Sequence, residues 1–479
     1  MIEYFSIFLY WFEYFIAVFM ASYILFYLVM AVFSYLAINR NLEEKYELPN
    51  DMMLKSNQVL GVSVVAPAYN ESANIVYNVK SLLSLRYPKF EVVIINDGST
   101  DDTLEKLIKN FDLKKVDFHY EEQVITKPVR GHYKSTNPIY HKLLVVDKIN
   151  GGSKADASNA GVNSCRYPIF ICTDVDCILK KDTITKLVHP FMNEKKRVIA
   201  TGAGIRISNS CEVKEGSLKK VKFPKEMFPR FQELEYVRAF LFGRMAWSRI
   251  NGLLLVSGGL GMFEKKTFFE VGGYWHASLG EDMELITRMR KLMHERKEEF
   301  SIKYIAESLC WTEVPATKEI LIRQRARWGR GLIQTLKLHR KIFFNPKYGI
   351  TGLLVYPYFV FFEFLVPIVE LLGLIVIIIS LFIIDVNVDF LLWMTLTIYL
   401  FFQTITLISI LIDEYLFRNY SSLREILILI TMSMVEPLVY HPVNTYAYLK
   451  GYWLFLRKKE SKWGEMKRRG FNDVDLSKS

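Results

Sequence analysis

The sequence predicts an α/β domain, a mostly parallel sheet with helices on both faces, inserted between transmembrane helices. Three observations predict it. Short apolar strands alternate with helical patterns between about Asn39 and Tyr348, long apolar blocks flank that stretch, and several strands stop abruptly at carboxylates.

The apolar blocks are Phe5 to Ile38, Gly349 to Ile384, Phe390 to Ile412 and Ile426 to Leu456. Each exceeds the roughly 20 residues that cross a bilayer. The first lacks a basic leader and a small-residue cleavage site, so it reads as a retained anchor, starting near Phe15 because Glu13 makes an earlier start costly. The later blocks carry Pro357, Pro367, Pro437 and Pro442, and acids at Glu363, Glu370 and Glu436. They allow three or four crossings, and the parity stays open. Glu363 and Glu370, seven residues apart, are expected on one helix face, as a polymer path or as packing contacts. The division is an anchor over 1–40, a domain over 41–317, amphipathic interface helices over 318–348, a membrane bundle over 349–456 and a basic tail over 457–479.

Within the domain, Val62 to Pro67, Glu91 to Asp97, Lys142 to Asp147, Tyr167 to Asp174 and Val198 to Ile205 read as strands, with helices at Asn74 to Leu85 and Thr103 to Asn110. Strand, helix, strand in repetition builds a parallel sheet whose carboxyl-end crevice takes ligands. Val124 to Tyr140 is polar and irregular and reads as a mobile loop.

Chemistry gathers at the strand ends. In APAYNES, Tyr69, Asn70 and Glu71 follow the first strand and can stack on and hydrogen-bond a base, or Asn70 or Ser72 can cap a helix. In INDGSTDDT, Asp97 precedes a tight turn at Gly98, and Ser99, Thr100 or Asp101 can cap the next helix. In GGSKADASNAGV, Lys154 opens a helix that also bears Asp156, and it can reach a phosphate or pair with Asp156. YPIFICTDVDCIL ends in Asp174 and Asp176. Two like charges one residue apart need a cation, and one or two carboxylates with phosphates and water suit Mg²⁺ or Mn²⁺. Asp176 suits the metal and Asp174 a ribose or base. In GEDMELITRM, Glu281 and Asp282 open a helix, where acids are favoured by the dipole, and Asp282 is a candidate general base. In RQRARWGRG, Gln324, Arg327 and Trp328 share a face if the segment is helical, offering a diphosphate grip and a flat ring for a sugar, or a basic membrane-surface helix.

The order Y-N-E, D-G-S, K-x-D, D-x-D, E-D and Q-x-x-R-W resembles the membrane-embedded glycosyltransferases of family 2, which include cellulose, hyaluronan, chitin and poly-N-acetylglucosamine synthases. The stretches VVDKINGGSKADASNAG, SGGLGMF, GEDMEL and RQRARWGRG look closest to the poly-β-1,6-N-acetylglucosamine synthase type. That resemblance implies a GT-A-like domain and inverting, processive transfer of a sugar, N-acetylglucosamine in the nearest type, from a UDP-sugar to a polysaccharide. The alternative is a non-processive membrane transferase adding one sugar to a lipid or short acceptor. It implies Tyr69, Glu71, Asp97 and Asp174 at the nucleoside, Lys154 and Asp156 near the uridine or phosphates, Asp176 on Mg²⁺ or Mn²⁺, and Asp282 as base beside Glu281. Gln324, Arg327 and Trp328 fall at the diphosphate and acceptor end, with Ser257 to Gly261 near the acceptor. The family often has an acid where Asn96 stands. The resemblance leaves room for a small accessory membrane subunit.

Net charge is +11. The cations cluster beside the membrane blocks, in RQRARWGRG and LRKKESKWGEMKRRG, which fits a lipid surface and an anionic substrate; nucleic acid is not expected as a partner. Positive-inside logic places domain and tail in the cytoplasm, at the cell membrane. The five cysteines, an odd number without a C-x-x-C, indicate a reducing compartment and no disulfide framework.

Overall fold

The computed structural model describes residues 2–46, 59–214, 217–383, 388–420 and 422–458. Helix α1 (Ile2–Tyr46) leads in. The domain then runs β1 (Val62–Ala68), α2 (Ile75–Leu83), β2 (Phe90–Asp97), α3 (Thr103–Asn110), β3 (Leu113–Val116), β4 (Val129–Ser135), β5 (Leu143–Lys148), α4 (Lys154–Asn163), β6 (Ile169–Thr173), β7 (Ile178–Leu179), α5 (Thr183–Asn193) and β8 (Arg197–Ile207). A two-stranded ribbon, β9 (Glu212–Lys214) and β10 (Ser217–Lys220), precedes α6 (Met227–Val237), a π-helical stretch (Arg238–Arg244) and α7 (Met245–Arg249). Then follow β11 (Leu260–Glu264), α8 (Lys265–Glu270), α9 (Glu281–Arg296), β12 (Phe300–Thr312) and α10 (Lys318–Leu338).

Ten strands form one sheet in the order β3-β4-β5-β2-β1-β6-β11-β8-β12-β7. The expected parallel core is the run β5-β2-β1-β6, and β8 and β12 also pair in parallel. The remaining pairs are antiparallel, so the sheet as a whole is mixed. The core strands are apolar without alternation because both faces are covered: Val62, Val64, Val65, Val92 to Ile95, Val145 and Val146 are buried. Helix α4 lies so close over β1 and β2 that a Cβ on Gly161 would meet Ile95 Cδ1 at 2.5 Å and Val65 Cγ1 at 2.7 Å.

Val124 to Tyr140 is not an irregular loop throughout. It contains β4, which pairs with β3 and β5. Its polar residues hid the strand: Arg130 and Lys134 are exposed, while His132 between them is buried, 2.9 Å from Ser164 Oγ and stacked on Phe118. Nor do Asn70 or Ser72 cap α2, which begins at Ile75 after Asn74.

Among the described residues, four helices are long and apolar enough to cross a membrane: Ile7–Arg40, Thr351–Ile383, Leu391–Phe417 and Leu423–Leu456. The first starts ahead of Glu13, whose side chain is exposed, because the helix is continuous from Ile2. Thr351–Ile383 is π-helical at Thr351–Val355 and Phe359–Phe364, bends at Leu365 before Pro367, and continues as α11 (Val366–Ile383). It is followed by α12 (Val388–Phe417) and α13 (Leu423–Leu456). The bend means that Glu363 and Glu370 do not lie on one regular helix face. Tyr358 OH donates to Glu363 at 2.9 Å, while Glu370 is 2.8 Å from His441 Nε2 and accepts from Thr445 Oγ1 at 2.8 Å.

Candidate active site at the carboxyl rim of the sheet

Register brings the strand ends together. Ala68 pairs with Asn96, Asp97 with Lys148, and Val65 with Cys172, so β1, β2, β5 and β6 finish at one rim. β11 begins there, with Leu260 opposite Thr173, which puts Gly258 and Gly259 beside Asp174. Each parallel strand therefore hands its terminal polar residue to the same crevice.

On one side of the rim the turns after β1 and β2 are joined. Asn70, at φ +55°, donates its N–H to Ser99 Oγ at 3.1 Å and accepts from Thr100 N at 2.8 Å; Glu71 N donates to Thr103 Oγ1 at 3.0 Å. Tyr69 and Glu71 are half-buried on this double turn. Asp97 and Asp156 meet on a residue that sequence reasoning missed, Lys148. Its ammonium is fully buried and lies 2.8 Å from Asp97 Oδ1 and 2.5 Å from Asp156 Oδ2. Gly151 N also donates to Asp97, and Lys127 N to Asp156. Burial raises the Asp97 carboxyl above its usual range, against the pull of Lys148. An unpaired ammonium there would cost several kcal/mol, roughly, so the triad is mutually required. Asn96 donates to Asp147 at 2.7 Å.

Lys154 does not pair with Asp156. Its ammonium is 2.5 Å from Asp174 Oδ1 and donates to the Gly258 carbonyl at 2.7 Å. Burial lowers its pKa, but the charges around it, Asp174 first, more than offset this and hold it cationic. Asp174, Asp176 and Cys177 present side-chain atoms within 4.8 Å of one another. Hydrogen bonding to Cys310 and burial hold the Cys177 thiol protonated, leaving an all-carboxylate donor set, the chemistry of a hard divalent cation. Asp282 comes to the same place: a Cβ on Gly258 would lie 3.3 Å from Asp282 Oδ2 and 3.8 Å from Lys154 Nζ. At Gly259 it would lie 3.9 Å from Asp174 Oδ2, so the Gly-Gly pair keeps the space between the acids open.

Helix α10 closes the other side. Gln324, Arg327 and Trp328 do share a helix face. Arg327 donates to the Leu279 carbonyl at 3.0 Å, Gln334 accepts from Leu279 N at 2.9 Å, and a Cβ on Gly331 would lie 2.7 Å from Gly280 N. These contacts fix the loop from which Glu281 and Asp282 start α9. Burial and then the Asp282 charge raise the Glu281 carboxyl, with Arg327 and Lys154 opposing. Gln324 Oε1 is buried without a hydrogen-bond partner among the described residues. Trp328 is half-buried, and the Arg325 guanidinium lies 4.1 Å from its ring centroid. Arg325, a second residue that sequence reasoning passed over, is fully buried and pairs with Glu235 at 2.8 Å.

Four carboxylates, Asp174, Asp176, Glu281 and Asp282, thus gather around two cations, Lys154 and Arg327. The formal excess of negative charge at one strand end is what a divalent ion would offset. Residues 63–251 match the family model described as glycosyl transferase family 2, and residues 220–406 match glycosyl transferase family group 2. The chain thus carries a glycosyltransferase family 2 domain. Curated relatives of this chain include the poly-β-1,6-N-acetyl-D-glucosamine synthase of Staphylococcus epidermidis, 28% identical over 286 residues, 58% of this chain and 57% of the relative. The Staphylococcus aureus protein of the same name is 26% identical over 290 residues, 60% of this chain and 58% of the relative. The alignments thus span just under three fifths of the relatives' length. Among solved structures, mannosyltransferase PcManGT from Pyrobaculum calidifontis, in complex with GDP-Man and Mn²⁺, superposes with a TM-score of 0.49 at 15% identity over 91% of this chain and 99% of that one.

Proposed function

We propose that this glycosyltransferase transfers N-acetylglucosamine from UDP-N-acetylglucosamine to the end of a growing polysaccharide, with inversion, from a crevice on the cytoplasmic face of the cell membrane. The single observation that carries the proposal is the convergence of Asp174, Asp176, Asp282 and Lys154 around Gly258 and Gly259. The names of the staphylococcal relatives support the sugar and the polymer.

In this reading the uridine lies over Tyr69, Glu71 and Asp97, with Lys148 and Asp156 holding Asp97 in place, and Asp174 and Lys154 reach the ribose and phosphates. Asp176 would hold Mg²⁺ or Mn²⁺, which when bound would offset negative charge on the departing diphosphate. Asp282 takes the proton from the acceptor hydroxyl as its oxygen bonds to the anomeric carbon. The bond from that carbon to the phosphate oxygen breaks on the opposite side, and UDP leaves with the electron pair. UDP is a good enough leaving group to need no general acid, so one carboxylate base suffices, where a glycosidase would use two carboxyl groups. Arg327 adds positive charge beside the diphosphate. Glu281 tunes the field at Asp282, and Gln324 and Trp328 hold the acceptor end.

The test is to offer the purified protein a panel of UDP-sugars with Mg²⁺ or Mn²⁺ and to identify the product. Consumption of UDP-N-acetylglucosamine into chains of many residues is expected. A single-sugar product would establish the non-processive alternative, and consumption of none of the panel would overturn the assignment.

A further inference from the structure

We propose that α13 does not cross the bilayer but lies along the membrane face of the domain, its outward side against the acyl chains of one leaflet. The chain then leaves this helix at Arg457 on the domain's own side. The proposal rests on reading the chain as membrane-embedded.

By length and composition α13 qualifies as a span. A spanning helix, however, meets the domain at one end only, and α13 meets it from end to end. At its start, Leu429 packs on Leu234 of α6. Next, Glu436 forms a two-armed pair with Arg238, and the Tyr440 ring stacks on Phe231 at 5.4 Å and its hydroxyl accepts from Arg325 at 3.1 Å. Further on, a Cβ on Gly451 would lie 2.4 Å from the Ala326 carbonyl oxygen, and Lys337 Nζ sits 5.7 Å from the Phe455 ring. These partners belong to α6, the π-helical turn and α10; α13 also meets the spans, at Gln403 of α12 through Ser433 and at Glu370 of α11 through His441 and Thr445.

The burial pattern agrees. Leu429, Ser433, Glu436, Tyr440, Ala447 and Gly451 form one buried stripe at helical spacing over the whole length. The opposite side begins with exposed Leu427, Met434, Val435 and Leu438 and ends with exposed Tyr446, Lys450 and Trp453. Apolar residues giving way to aromatic and lysine side chains mark a helix that enters a leaflet and rises to its headgroups. Pro437 and Pro442 lie inside this helix, where each removes a backbone donor and favours curvature.

Charge gives an independent argument. All 61 Lys and Arg residues lie within 40–347 or 418–478, and none within 1–39 or 348–417. With α1, α11 and α12 as the crossings, every cation is on the domain's side. A fourth crossing by α13 would move the eight cations of 457–478 to the other side, against the positive-inside preference.

The test uses the full chain in cells, with single cysteines added at Gly470→Cys, at exposed Lys114→Cys in the domain and at exposed Tyr4→Cys at the far end of α1, and the parent chain as background. A membrane-impermeant maleimide is applied before and after permeabilisation. Gly470→Cys and Lys114→Cys are expected to label together, only after permeabilisation, with Tyr4→Cys labelling in intact cells. Ser461→Cys replaces Gly470→Cys if the latter does not accumulate. Labelling of the tail cysteine with Tyr4→Cys and not with Lys114→Cys would overturn the proposal. Labelling of both tail and domain in intact cells would instead refute the cytoplasmic placement and leave the shared side intact.

Discussion

Asp174, Asp176, Glu281 and Asp282 meet at the rim of the sheet with Lys154 and Arg327 among them, whereas three acids of the membrane helices, Asp413, Glu436 and Glu370, are each matched to a partner. Asp413 pairs with Arg206, Glu436 with Arg238, and Glu370 with His441 and Thr445. A buried charge in or near lipid has to be paired, and these pairs join helix to helix or helix to domain. At the rim Glu281 and Asp282 stand side by side, and burial first, then the Asp282 charge, raises the Glu281 carboxyl. On the proposed function, the difference separates acids that hold the molecule together from acids arranged for chemistry.

Each prediction breaks or sharpens that contrast. The largest effect is at the metal position. Asp176→Ala should lower Mn²⁺-stimulated UDP release by on the order of 10³-fold, with far-ultraviolet circular dichroism unchanged; a variant that retains metal stimulation would remove Asp176 from the rim set. Next comes a membrane acid. Glu436→Gln leaves the half-buried Arg238 without its carboxylate and should cost about 3 kcal/mol in denaturant unfolding, with most of it recovered when Arg238→Met is added. A loss of UDP affinity without a loss of stability would place Glu436 in the wrong class.

Glu281→Gln probes the crowding by pH. A carboxyl whose folded-state pKa is raised contributes stability that is complete below its ordinary value, 4.5, and lost as pH rises through the folded value. The glutamine variant lacks that loss, so its Tm advantage over the parent should widen as pH rises from 4.5. A constant difference would mean that the burial of Glu281 is relieved by a partner. The smallest effect belongs to Glu370→Gln, which should cost about 1 kcal/mol and leave product length unchanged; shortened or retained polymer would revive the path reading for that residue.

What was readable in the sequence follows from the same physics. Asp97, Asp174 and the Glu281–Asp282 pair stood out because a carboxylate at the end of an apolar strand or the start of a helix is a local pattern. Lys148 did not, because its role depends on the β2–β5 register that sets it opposite Asp97, and Lys148 itself looks like an ordinary polar residue after a strand. The pairing of Lys154 with Asp174 rather than Asp156 is equally non-local, set by β11 beginning beside the end of β6. Strand β4 escaped for the opposite reason: its outward residues Arg130 and Lys134 masked a ladder made by the backbone. In the membrane part the apolar blocks were plain, but the bend at Leu365 and the domain contacts along α13 arise only in the folded chain.

The most direct measurement of the central claim is the rate of UDP release from UDP-N-acetylglucosamine in the presence of an acceptor, compared between the parent and Asp282→Asn, with UDP binding measured on both. The account predicts that kcat falls by roughly 10²–10⁴-fold while the Kd for UDP with Mn²⁺ stays the same. Turnover by Asp282→Asn at the parent rate would contradict it.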